Sequence, residues 1–142
     1  MIWDGDDFGG AKLAILCRGH VLTLLRDNDP AIPFPDRWDL PGGGREGNES
    51  PQACVLRELH EEFGLRLSPD IIEWSVQCGG IMPGQIGTWF FGAELPDLDP
   101  GHVRFGDEGQ TWQLMPLADF LEHPKSIPHM VERLTIWLQS RA

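Results

Sequence analysis

The sequence predicts an α/β layered domain, a mixed β-sheet held between helices. Three observations lead there. β-rich stretches both precede and follow one well-delimited central helix, a second amphipathic helix closes the chain, and no repeat, low-complexity tract or linker divides the 142 residues. That length suits about one domain with a single sizeable core, so residues 1–142 are read as one unit.

AKLAILC (11–17), a turn at RGH and VLTLLR (21–26) read as a β-hairpin. DNDPAIPFPD (27–36) holds three prolines and is a loop; RWDL (37–40) is a short strand ending at Pro41. A glycine run, 42–44, leads to the central helix. Ser50 is a good N-cap and Pro51 suits N1, while Gly64 can take the left-handed C′ conformation after Phe63. On that helix Ala53, Val55, Leu56, Leu59 and Phe63 are assigned to the sheet-facing arc. Two β-rich stretches, 71–78 and 87–95, are joined through the turn-rich GGIMPGQI, and an acidic loop spans 95–110. TWQLM (111–115) is a strand and LADFLEH a short helix. Pro128 starts the last helix, with Met130, Leu134, Trp137 and Leu138 on one face.

The 22 acidic residues against 11 Lys and Arg give a net charge of −11, with no basic cluster to face a nucleic acid polymer. No run of eighteen apolar residues exists to span a membrane. The start, MIWDGDD, is acidic where a secretory signal is basic, and Cys17, Cys54 and Cys78 form no CxxC pair. A cytoplasmic protein with reduced thiols is expected. The five histidines make no HxxxH or HExxH and are read as surface or structural.

Glu58, Glu61 and Glu62 stand at i, i+3, i+4 on the arc that adjoins the apolar face. Like charges at this spacing destabilise a helix by a few tenths of a kcal/mol, and partial burial raises carboxylate pKa values. A divalent cation removes both costs, and an all-oxygen donor set is what Mg²⁺ selects. Arg57 is placed to orient a carboxylate through a bidentate pair.

The stretch 43–65 reads G-x5-E-x7-R-E-U-x-E-E-x-G-U, with U aliphatic, carried by Gly43, Glu49, Arg57, Glu58, Leu59, Glu61, Glu62, Gly64 and Leu65. It resembles the signature of the Nudix hydrolases at every fixed position. At average residue usage a chance match is on the order of one in a billion windows. The resemblance implies a Nudix-type α/β/α sandwich and a Mg²⁺- or Mn²⁺-dependent hydrolase of a nucleoside diphosphate linked to another group. Glu58, Glu61 and Glu62 would ligate metal, with the carbonyl of Gly43 as a further donor. Arg57 and Glu49 would hold the loop–helix–loop in shape.

GDEGQTWQL (106–114) is similar to the EGQ loop of the MutT-like branch, whose glutamate reaches the metal site and here is Glu108. That implies a nucleoside (deoxy)triphosphate pyrophosphohydrolase which attacks the β-phosphorus and releases a monophosphate and pyrophosphate. Glu108 is expected to act as a general base or a water-mediated metal ligand; Glu61 is the second candidate for base, with Asp107 and Glu94 as nearby alternatives. TWFF (88–91) resembles the branch's aromatic strand, so Trp89, Phe90 and Phe91 are candidates for base contact as well as for core packing. Ser126 is the position aligned with the branch's base-reading asparagine. Arg26, Arg37 and Arg45 border the motif and are candidates for phosphate contact. The expected partner is a small nucleotide, the expected state monomer or homodimer. Another nucleoside diphosphate-linked substrate (ADP-ribose or a sugar nucleotide) and a non-catalytic nucleotide-binding domain are the alternatives.

Overall fold

The computed structural model describes residues 3–141, so Met1, Ile2 and Ala142 of the expected unit lie outside it. Seven strands form one sheet: β1 (Gly10–Cys17), β2 (His20–Leu25), β3 (Trp38–Asp39), β4 (Gly42–Gly44), β5 (Trp74–Cys78), β6 (Thr88–Glu94) and β7 (Thr111–Pro116). Its main path runs β3-β2-β1-β6-β5, with β4 paired to β1 and β7 paired to β2. β1 and β6 are parallel, in register from Ala11↔Trp89 to Leu16↔Glu94. The remaining pairings are antiparallel, so the sheet is mixed.

The β1–β2 hairpin splays immediately. Its strands pair only at Leu16↔Val21 and Cys17↔His20; further along that edge β2 pairs with β3 at Leu24↔Asp39 and Leu25↔Trp38, while its other edge pairs with β7 throughout, from His20↔Pro116 to Leu25↔Thr111. β4 occupies the gap this opens beside the start of β1, with Gly10↔Gly44 and Lys12↔Gly42 opposite. At position 42 only glycine fits. A Cβ on Gly42, whose φ is +133°, would sit 2.1 Å from the Ala11 carbonyl oxygen. The glycine run, left without an element in the sequence, is therefore a strand, held by close approach rather than marked by periodicity.

Helix α1 (Pro51–Phe63) is capped by the Ser50 side chain, which accepts from Ala53 N–H, and ends in left-handed Gly64 at φ 68°. It packs on one sheet face, where Val55, Leu59 and Phe63 meet Leu13, Ile15, Leu22 and Phe91. Ala53 is a correction: it is exposed, and Cys54 is buried in its place. At about 100° per residue, Ala53 lies one full step behind Cys54, outside the arc centred between Val55 and Glu62. Helices α2 (Leu117–Glu122) and α3 (Pro128–Ser140) cover the other face, where Met130, Leu134 and Trp137 pack on Ala14, Leu16 and Phe90. The β-rich stretch 71–78 begins as strand only at Trp74, because Pro69–Ile71 forms a 3-10 turn capped by Ser68. No helix of the described residues is long and apolar enough to cross a membrane.

Candidate metal centre and active site

Arg57 organises the acidic side of α1. Its Nε and Nη2 reach Glu49 Oε2 and Oε1 at 2.7 and 3.1 Å, a bidentate pair across eight residues. Nη2 also donates to the Gly44 carbonyl at 2.8 Å, and Nη1 to Glu58 Oε1 at 2.9 Å and Glu61 Oε2 at 3.1 Å. One guanidinium thus ties the loop before the helix, the end of β4 and two of the three clustered glutamates. The pairing holds the Glu49 carboxyl below the usual carboxylate range.

Glu62 is buried, 9% exposed, and its Oε1 accepts the Gly42 N–H at 2.8 Å. Burial pushes its pKa up to about 8, against the opposing pull of Lys12 and of that hydrogen bond. Burial also raises Glu58, whose carboxyl lies directly over Gly43: a Cβ there would stand 2.6 Å from Glu58 Cδ. Glu61 is more open, with 54% of its side chain exposed. Glu58, Glu61 and Glu62 line a cavity of about 330 Å³, and Asp107 and Glu108 complete its wall.

The loop that brings Glu108 there is pinned at both ends. Arg104 N–H donates to Phe63 O at 2.8 Å and Gly106 N–H to Glu62 O at 2.9 Å, satisfying carbonyls at the C-terminus of α1. A Cβ on Gly106 would meet Glu61 O at 2.3 Å, so the loop lies flat on the helix end. Gln110 closes the other side, its N–H on Leu25 O and its Nε2 on Arg26 O and Asp36 Oδ1, each at 2.8 Å. Asp107 and Glu108, both exposed, project between these anchors.

The remaining candidates divide. Arg26 lines an adjoining cavity of about 310 Å³ with Glu62 and Glu108, although its Nη1 pairs with Asp39 at 3.2 Å. Arg37 is exposed and donates to Pro124 O. Arg45 is spent on Asp7 at 2.8 Å, on Glu49 O and over the Phe8 ring. Glu94 pairs with Arg141 at the far end of β6. Phe90 is wholly buried under α3, and Trp89 is 8% exposed and stacked on Phe91 in the α1-side core. Of the two roles weighed for these aromatics, the structure displays packing. Ser126 gives its hydroxyl to Phe120 O at 2.7 Å.

Sequence reading passed over Lys12, Asp39 and Arg133, and took His129 as surface or structural. Lys12 Nζ donates to Asp39 Oδ2 at 2.8 Å and to the carbonyls of Leu40 and Gly42 at 3.2 Å, fixing β4 from the side opposite α1. A lysine inside an otherwise apolar strand was the available signal. For His129 and Arg133 it was their place one turn apart on the face of α3 that also carries Met130.

Oxygen donors dominate the carboxylate cavity, which suits a hard divalent cation. Cys54, whose thiol donates to Gly43 O at 3.6 Å, is pushed by burial up to about 11 and stays a neutral thiol near pH 7. Among the described residues, no three carboxylate, imidazole or thiol groups converge on one point as a finished ligand cage. Two of the glutamates are instead held by Arg57 at the cavity wall.

Fold and site together define a sheet-between-helices domain with a glutamate-lined loop–helix–loop. The NUDIX domain model matches residues 9–134, and the chain belongs to that family. It is 29% identical to an RNA pyrophosphohydrolase of Aeromonas hydrophila over 128 residues, covering 75% of this chain and 66% of the relative. Across three curated RNA pyrophosphohydrolases the match spans 39% to 66% of the relative's length. Among solved structures, the MutT protein of Methanosarcina mazei superposes with a TM-score of 0.72 at 19% identity, covering 99% of both chains. A bifunctional NMN adenylyltransferase/ADP ribose pyrophosphatase of Francisella tularensis, complexed with AMP and manganese, gives 0.78 at 18% identity over 97% of this chain and 43% of its own. At such identities the structural likeness shows the fold.

Proposed function

We propose that this chain, acting as one domain, is a Mg²⁺- or Mn²⁺-dependent pyrophosphohydrolase of nucleoside (deoxy)triphosphates, releasing a monophosphate and pyrophosphate. One observation carries the reading: Glu58, Glu61 and Glu62 from α1 and Glu108 from the loop wall one cavity made of carboxylates. A polyphosphate enters such a cavity when a cation stands between the two sets of negative charge.

Glu58, Glu61 and Glu62 would hold the cation, with the Gly43 carbonyl as a further donor. When bound, Mg²⁺ supplies charge neutralisation on the phosphoryl oxygens and an acidified water. Arg57 positions Glu58 and Glu61, and Glu49 in turn fixes Arg57. Glu108, outside the glutamate helix and uncommitted to Arg57, accepts the proton of the attacking water. Arg26, at the edge of the adjoining cavity, is placed to contact a phosphate.

The free thiols of Cys17, Cys54 and Cys78 suit a cytoplasmic setting, which is part of this reading. The relatives named RNA pyrophosphohydrolases favour a second substrate with the same anhydride chemistry, an RNA carrying a 5′ polyphosphate. Product analysis tests the proposal. A (d)NTP incubated with Mg²⁺ should yield monophosphate and pyrophosphate in equal amounts; nucleoside diphosphate and orthophosphate instead would overturn it.

A further inference from the structure

Six cationic side chains, Lys12, Arg26, Arg45, Arg57, Lys125 and Arg141, stand within ion-pair distance of a carboxylate. Arg133 is one of five, with Arg18, Arg37, Arg66 and Arg104, that have no such partner among the described residues. Its guanidinium contacts Thr88 Oγ1 and Gly79 O, both at 3.4 Å, long for hydrogen bonds and leaving most of its five donors open.

Arg133 lines two cavities, of about 420 and 210 Å³, which share Gly9, Thr88 and His129 and so form one cleft. No carboxylate lines it, in contrast to the cavity on the α1 side. One end of the cleft is Gly43 and Gly44, and Gly43 is the residue pressed against the Glu58 carboxyl. β4 is thus the partition between a carboxylate cavity and a carboxylate-free cleft. A nucleotide whose phosphates occupy the first reaches the second across one glycine strand.

The cleft suits a flat heterocycle. Glycines make up much of its lining, and the exposed Ile81 and Ile86 supply apolar surface. Lys12 also borders it, but its ammonium is spent on Asp39, Leu40 O and Gly42 O, which leaves Arg133 as the available fork of donors. An arginine fork pairs with two adjacent acceptors. Guanine offers O6 and N7; adenine offers N7 beside an N6 donor that the fork repels. Guanine oxidised at C8 carries a hydrogen on N7 and loses one acceptor.

We infer that Arg133 determines base specificity, selecting unmodified guanine over adenine and over 8-oxo-guanine. The inference rests on the nucleotide reading above.

Two measurements test it. Calorimetry with GMP, AMP and 8-oxo-GMP reads base preference without turnover, and KM and kcat for GTP and ATP read it during turnover. Wild type should bind GMP about tenfold or more tighter than AMP or 8-oxo-GMP, the discrimination of one good bidentate pair. Arg133→Gln should move the preference toward AMP and lower the KM for ATP relative to GTP, because glutamine pairs with adenine N6 and N7. Arg133→Lys keeps the charge but loses the planar fork, and should weaken the preference. Equal binding of GMP and AMP by the wild type overturns the inference. So does an Arg133→Gln variant with undiminished guanine preference, which would assign base selection to other residues of the cleft. Hydrolysis of GTP and ATP at equal kcat/KM overturns it while sparing the proposed activity. Guanine-selective binding without hydrolysis keeps it and removes the activity.

Discussion

Glu62 Oε1 accepts the backbone N–H of Gly42 at 2.8 Å, joining the last turn of α1 to the glycine strand that partitions the site. This bond ties the helix to the sheet, and it leaves a buried carboxyl without a cation of its own in contact. Its consequences are testable in the metal-free protein.

In EDTA, Glu62 has a folded-state pKa near 8, raised by burial from the 4.5 of an ordinary glutamate. The folded state therefore binds the proton more tightly. The stability this gives is complete below about pH 4.5 and is lost as pH rises through about 8. Glu62→Gln keeps an acceptor for Gly42 and carries no charge at any pH. Its melting temperature should match wild type near pH 4.5 and exceed it by roughly several degrees near pH 8.5. A gap that shrinks with rising pH would contradict the assigned burial.

Gly43→Ala should separate folding from activity. The added Cβ meets the end of the Glu58 side chain, which can swing away, so thermal unfolding should change little. The displaced carboxyl should cost activity, about tenfold or more, and raise the Mg²⁺ concentration for half-maximal rate. Parallel activity titrations against Mg²⁺ check this; a wild-type titration curve would remove Glu58 from the cation site.

Glu108→Gln should lower kcat about 10²-fold or more with little change in KM, the pattern of a lost general base. Asp107→Asn, on the same exposed tip, should be mild. If both variants are mild, Glu61 is the next candidate, being the most exposed of the helix trio.

Hydrolysis of a (d)NTP in ¹⁸O-water should place the label in pyrophosphate, the outcome of attack at the β-phosphorus. Mass spectrometry that finds it in the monophosphate would instead assign attack to the α-phosphorus.

Helix α1 was legible in the sequence because its stops are local. Ser50, Pro51 and Gly64 each act through their own backbone geometry, and the glutamate spacing needs no tertiary knowledge. The cavity wall was partly legible for the same reason. β4 was not, because three glycines carry no hydrophobic period and their strand exists through the β1 backbone they approach. Ala53 misled because alanine fits either face of a helix, whereas the burial of Cys54 depends on where β4 lies. Trp89 and Phe90 alternate sides of β6, so no sequence pattern decides which core each enters until β1 pairs beside them. The one-turn spacing of His129 and Arg133 is in the sequence, but only the packing of α3 beside β6 puts that pair at a cleft.

The most direct test of the central claim is pyrophosphate release from a panel of (d)NTPs, with Mg²⁺, with excess EDTA, and by the Glu62→Gln variant. Turnover should require Mg²⁺ or Mn²⁺, stop in EDTA, return when the cation is restored, and fall roughly 10²-fold or more in the variant. Full turnover in chelator, or a variant with wild-type kcat, would contradict a cation held by the α1 glutamates.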